Sequence, residues 1–271
     1  MNNLHRSLAP ISEEAWEDIE EEVVRTFKRN LGGRRFADVN GPKGSKFTCV
    51  ETGHVVTLKS PDADLSVKQH QVIPLLKLRV PFALSRDEID AVERGSNDSD
   101  WQPAKDAAKK LAFAEDHLVF EGMDAANIKG LIKETSNPVL TLPNNAADYI
   151  DVVAKGIEQL KLEGVEGPYV VVMGAEPFTK VSEATESGYP VRKHIERLTG
   201  TNILWAPAMP GACVVSTRGG DFELSIGRDL SIGYDSHTSE SVKLYLEETV
   251  AFRVLSTEAV VIIKPAKGAK K

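Results

Sequence analysis

The residues whose types suggest chemistry gather in "STRGGDFELSIGRDLSIGYDSH", Ser216 to His237, where Arg-Gly-Gly-Asp precedes two copies of Leu-Ser-Ile-Gly. Glycine-rich runs cradle phosphates when a helix N-terminus follows and supplies a cluster of amides. Here Phe222, Leu224, Ile226, Leu230, Ile232 and Tyr234 recur at strand spacing instead. The glycines therefore predict turns between strands, with Gly227-Arg228-Asp229 as the bend. The sequence contains no GxxxxGK[ST] phosphate loop, no strand-terminal GxGxxG and no GxSxG nucleophile elbow. Its histidines are scattered, without HExxH spacing. Glu115, Asp116, His117 and Glu121 crowd one helix, yet a carboxylate-bridged iron site needs Glu-x-x-His, and Glu115 and His117 stand two apart on different faces. Asn97, Asp98 and Asp100 lack the remaining ligands of a calcium loop and suit a solvated loop capping the next helix. Cys49 and Cys213 form no C-x-x-C and are expected as buried free thiols. No catalytic residue, metal or cofactor is expected.

The elements around these residues follow from periodicity. Ser12 is an N-cap, Glu13 and Glu14 suit the first turn, and Trp16, Ile19, Val23, Phe27 and Leu31 form one apolar stripe. Lys28, Arg29 and the Gly32-Gly33 pair close that helix. From Phe47 to Phe82 β-branched residues alternate around a polar "KSPDADLS", predicting a long hairpin with no core of its own. A helix starting near Pro103 turns Ala107, Leu111, Ala114 and Leu118 to one face and stops at Gly122. A third helix, about 145–162, leads into "PYVVVMG", an apolar run typical of a buried strand. A helix pair, two short strands and the alternating "VKLYLEETVAFRVL" complete an α+β pattern. The helix–strand alternation over 145–217 differs from both flanks and predicts a subdomain inserted into a divided scaffold.

Composition narrows the classes. With 271 residues, 41% hydrophobic and 27% charged, the chain has ample length for a packed core. No segment approaches the roughly 18 consecutive apolar residues of a membrane span, so no membrane partner is expected. "MNNLHRSLAP" lacks a basic-then-apolar export pattern, which predicts the cytoplasm. A net charge of -7 argues against holding nucleic acid by phosphate neutralisation. The basic tail "KPAKGAKK" is expected as a solvated end.

Taken in order, "LAPISEEAW", "GRRFADVNGP", "LRVPFALSRDEIDAVERG", "EGPY", "GYPVRKHIERL", "STRGGDFELSIGRDLSIGY" and "LYLEETVAF" resemble the encapsulins, the linocin-type bacteriocin family, over nearly the whole chain. The resemblance implies a Hong Kong 97-like phage major capsid protein fold, with a peripheral domain (1–46, 79–133 and 218–264), an E-loop (47–78), an axial domain (134–217) and a basic tail (265–271). It implies a shell-forming subunit, not an enzyme, closing with itself into an icosahedral shell of about sixty copies. Such shells enclose cargo, commonly ferritin-like iron-storage proteins or dye-decolorising peroxidases that counter oxidative stress, through a C-terminal targeting peptide. The positions matching the family's cargo groove are Phe27, Arg34, Asp38, Val39, Ile232 and Tyr234. There the apolar residues would take aliphatic side chains, while Arg34 and Asp38 would meet the peptide backbone or its charged ends. The five-fold pore loop is expected at Ser182, Glu183, Thr185, Glu186, Ser187 and Gly188. Some relatives stack a flavin on a tryptophan ahead of "ERG"; here "RDEID" holds no aromatic, so no flavin is expected. Two other readings are a prophage-derived capsid protein packaging DNA, against which the negative charge and the "SIGY" and "GRRFADV" matches argue, and a secreted bacteriocin or peptidase, against which the missing export signal and nucleophile argue.

Overall fold

The computed structural model describes residues 3–266. The tail expected at 265–271 lies outside the described residues beyond Ala266.

The N-terminal helix, Glu13–Asn30, starts where the Ser12 hydroxyl accepts the Ala15 N–H, and its buried stripe is Ala15, Ile19, Val23 and Phe27. The expected glycine cap is instead a close packing contact. A Cβ on Gly32 would stand 2.3 Å from the Ala206 Cβ, and the Gly32 and Gly33 N–H groups donate to the Asp116 carboxylate at 2.8 and 2.9 Å. Asp116 belongs to the long helix Gln102–Phe120, whose alanines Ala104, Ala107, Ala108 and Ala112 let it press on the first helix and the sheet beneath. Glu115 and Asp116 take its inward face where Ala114 was expected.

That sheet is built on Ser241–Val254. Leu76–Ser85 pairs along one side, while Phe222–Ile226 and Ser231–His237 run end to end along the other, interrupted at the expected Gly227–Asp229 bend. Asp38–Asn40 adds a short parallel strand outside Phe222–Ile226. Cys49–Leu58 and Val67–Pro74 form a two-stranded arm whose Val55, Val56, Leu58, Leu65 and Val72 are exposed. A lone two-stranded ribbon is marginal in water, and neither apolar core of the protomer reaches the outer part of this arm.

A second sheet runs Leu204–Trp205, Tyr169–Met173, Ala212–Ser216, Val260–Lys264 and Leu140–Thr141, with the helices Tyr149–Leu162, Ala175–Glu183 and Val191–Thr199 in the same unit. Its member Val260–Lys264 corrects the scaffold boundary expected at 264. A strand buried at Val260, Val261, Ile262 and Ile263 needs apolar cover on both faces, which this sheet provides. After a first passage through the helices between Ser85 and Leu140, the chain crosses directly between the two sheets at 217–221 and again at 255–259. The crossings are tied together by the Asp221 carbonyl, which accepts the N–H groups of Leu255 (2.8 Å) and Ser256 (3.2 Å). Among the described residues no helix is long and apolar enough to cross a membrane.

Candidate functional site

The last turns of the N-terminal helix place Val24, Phe27 and Leu31 on one stripe by their three- and four-residue spacing. Opposite them the Gly227–Asp229 bend raises Asp229 and Leu230. Between the two lies a groove of about 370 Å³, with Lys28, Arg34 and Arg35 completing its lining. Phe27 is only 2% exposed and serves as the groove's floor, while Val24, at 38%, is its open wall. Ile232 belongs to the same buried cluster as Phe27, and Tyr234 packs against that cluster.

Arg34 runs inward. Its Nε and Nη2 grip the Glu115 carboxylate at 2.8 and 2.5 Å, Nη1 reaches Asp229 Oδ1 at 2.8 Å, and Nη2 reaches Glu248 Oε2 at 3.3 Å. Its guanidinium carbon lies 5.2 Å from the Phe27 ring centroid. Burial alone would lower the Arg34 pKa. The hydrogen bond and charge of Glu115, with the charges of Asp229 and Glu248, outweigh it and hold the guanidinium above its ordinary value. Three carboxylates around one guanidinium leave an excess of negative charge, and Glu248 relieves it. Burial, then the neighbouring charge of Glu115, pushes its carboxyl well above the usual range, against the pull of Arg34. Asp116 is pushed up to about 7 by burial, against the opposing N–H groups of Gly33 and Gly32.

Of the expected residues the structure brings Phe27 and Arg34 into the groove lining, leaves Ile232 and Tyr234 in and against the buried cluster beside it, and gives Arg34 and Asp38 other work. The Arg34 fork is engaged by its own carboxylates rather than offered to a ligand. Asp38 accepts the Gly220 N–H at 2.6 Å, and Asp38 and Val39 lie on the short edge strand beside Glu223 and Leu224, outside the groove lining. Sequence reading missed Val24, Lys28, Leu31, Arg35, Asp229 and Leu230 as lining residues; the helical spacing through Phe27 was the signal for Val24 and Leu31. In "SIGY", the Tyr234 hydroxyl meets His237 Nδ1 at 2.5 Å. Gly233 is glycine because Tyr245 lies across it: a Cβ at 233 would stand 2.1 Å from the ring's Cζ.

The loop expected at the pore is a small hairpin. Ser182 and Glu183 end a helix, then Thr185–Glu186 pairs with Tyr189–Pro190 around Ser187 and Gly188, whose φ values of 49° and 82° suit a tight two-residue turn. All six expected residues are at least partly exposed. His117, exposed beside Glu121 at 3.2 Å, is separated from the buried Glu115. Among the described residues no group of three or more His, Cys, Asp or Glu is arranged to hold a metal ion. Cys213 is buried, which raises its thiol pKa, and Cys49 is partly buried.

A family model described as "Encapsulating protein for peroxidase" matches residues 1–251. The chain is 51% identical over 263 residues to the type 1 encapsulin shell protein of Mycobacterium tuberculosis, covering 97% of this chain and 99% of that relative. It is 41% identical over 271 residues to the type 1 encapsulin shell protein of Rhodospirillum rubrum, covering 97% of each. Its fold is similar to the virus-like particle from Pyrococcus furiosus, with TM-score 0.67, 12% identity, and coverage of 93% of this chain and 100% of that one. It is also similar to the capsid of an empty GTA particle, with TM-score 0.53, 18% identity, and coverage of 88% and 90%. The phage-capsid fold read from the sequence is the fold found, and the chain is a structural subunit rather than an enzyme. It belongs to the type 1 encapsulin shell proteins and self-assembles into a multi-subunit shell.

Proposed function

We propose that about sixty copies of this chain close an icosahedral nanocompartment in the cytoplasm around a cargo enzyme, a dye-decolorising peroxidase or a ferritin-like iron-storage protein. The cargo's C-terminal targeting peptide sits in the groove formed by Val24, Phe27, Leu31 and Leu230. Ile232 and Tyr234 back the groove, Arg34 fixes its floor, and Asp38 and Val39 extend the same sheet edge. The observation that carries this reading is an open apolar groove at the end of an otherwise well-packed helix, with Val24 left exposed beside the buried Phe27. The hairpin carrying Glu183, Thr185, Glu186 and Ser187 lines the five-fold pore, and the arm at 47–78 lies on a neighbouring subunit.

Electron microscopy of purified particles, with mass spectrometry of the proteins inside them, tests the proposal. Uniform hollow shells holding a peroxidase or ferritin-like protein are expected. Shells that enclose DNA instead, or that load the cargo equally well after its C-terminal tail is removed, overturn it.

A further inference from the structure

The outer edge formed by Phe222–Ile226 and Ser231–His237 is covered in two places and open between them. At one end Asp38–Asn40 pairs with Glu223–Ser225, and the N–H groups of Lys43 and Gly44 donate to the carbonyls of Ile226 (3.0 Å) and Gly227 (2.7 Å). At the other end the Tyr234 N–H donates to the Leu4 carbonyl at 2.8 Å. Backbone groups along a strand alternate in direction, so the N–H and C=O of Ile232, two residues before Tyr234, face that same edge. Ser231 and Gly233 face inward, opposite Glu247 and Tyr245. Among the described residues, no partner meets the outward N–H or C=O of Ile232. Ile232 is 4% exposed, and a buried backbone amide without a partner is costly enough to be rare.

This open step adjoins the groove, since Asp229 and Leu230 both precede Ile232 in the chain and line the cavity. We infer that the groove takes its ligand by strand addition. An extended peptide continues the edge between Gly44 and Leu4, exchanges backbone hydrogen bonds with Ile232, and sets an aliphatic side chain among Val24, Phe27, Leu31 and Leu230. The chain itself shows that extended backbone fits this edge on one side of the gap, where Asp38–Asn40 pairs in parallel; on the other side Leu4 meets it from a turn. The occupant is the C-terminal segment of the cargo, so the inference rests on the cargo reading above. Lys28 and Arg35 are exposed on the rim, Arg35 with its charge also felt by the buried Asp116, and they suit the carboxylate that ends such a segment. Because strand side chains alternate, recognition falls on every second residue of the tail.

Fluorescein-labelled C-terminal tail peptides of a dye-decolorising peroxidase and of a ferritin-like protein that bear such a targeting segment provide the test. They are added during reassembly of full-length shells, each as the parent peptide and as a series carrying one backbone N-methyl group. Methylation of the amide facing Ile232 should weaken binding about tenfold while its two neighbours change little. Hydrogen exchange at the Ile232 amide should slow in the complex. If every methylated peptide binds like its parent while Val24→Asp still abolishes binding, strand addition is wrong and the groove stands. If neither parent peptide binds, both the groove reading and strand addition fall.

Discussion

Arg34 and Glu115 meet as a two-pronged ion pair beneath the groove, Nε to Oε1 at 2.8 Å and Nη2 to Oε2 at 2.5 Å, with Glu115 fully buried. The pair joins the turn after the first helix to the long helix, so the groove's floor is set by a contact between two elements far apart in sequence. Removing one partner of such a pair leaves the other buried and uncompensated. Arg34→Ala should therefore cost about 3–5 kcal/mol of stability. Arg34→Lys, which cannot reproduce the fork, should recover only part of it. Chemical denaturation at fixed protomer concentration measures both.

Cargo loading is best tested at Val24. Phe27 is so deeply buried that Phe27→Asp would also disturb the packing of its helix. Val24→Asp places a charge on the open wall, where shells should still form but lose their cargo. Co-purification of cargo with Val24→Asp particles at the normal level would rule out the groove.

The pH dependence follows from Asp116. Its carboxyl is pushed up to about 7 in the folded chain, above the ordinary value of about 3.9. The native state therefore holds this proton more tightly than the unfolded state, and the stability it contributes is full below about pH 4 and lost as pH rises towards 7. Glu248, also raised, acts in the same direction. The lowered carboxyls of Glu196, Glu223 and Glu247 act oppositely, so the comparison is with Asp116→Asn. Denaturation between pH 4.5 and 7.5 should show a shallower fall, or a steeper rise, with pH in Asp116→Asn than in the parent.

Gly233→Ala drives a methyl into the Tyr245 ring and should cost about 1–3 kcal/mol. Adding Tyr245→Ala should make the alanine at 233 much better tolerated. The coupling is read from a double-mutant cycle in thermal unfolding.

Deleting 52–71 from the arm should leave a folded protomer, because these residues lie outside both apolar cores, yet prevent shell closure. Sedimentation distinguishes small oligomers, the expected outcome, from intact particles.

Local periodicity carried much of this architecture. The stripe from Ile19 to Phe27 and the Ser12 cap announce a helix with one buried face, and Tyr169–Met173 reads as a covered strand. What stayed hidden depends on partners distant in sequence. Ala114 looked like the inward residue of the long helix because alanine is cheap to bury. Glu115 and Asp116 go inward instead because Arg34 and the Gly32 and Gly33 amides arrive from more than 80 residues away. Likewise Val260–Lys264 is plainly a buried strand, but nothing local says which sheet takes it. For the groove, the resemblance supplied Phe27 and Arg34. It could not show that Arg34 is already held by three carboxylates, or that Asp38 caps the Gly219-Gly220 turn.

The double crossing at Asp221 sets how force and disorder pass through the subunit. Two linkers pinned to one carbonyl behave as a rivet rather than as a pair of strings, so neither sheet can twist far without breaking the same two hydrogen bonds. The inserted unit and its scaffold should melt as one body. A shell assembled from such subunits can flex where protomers meet while each tile keeps its shape.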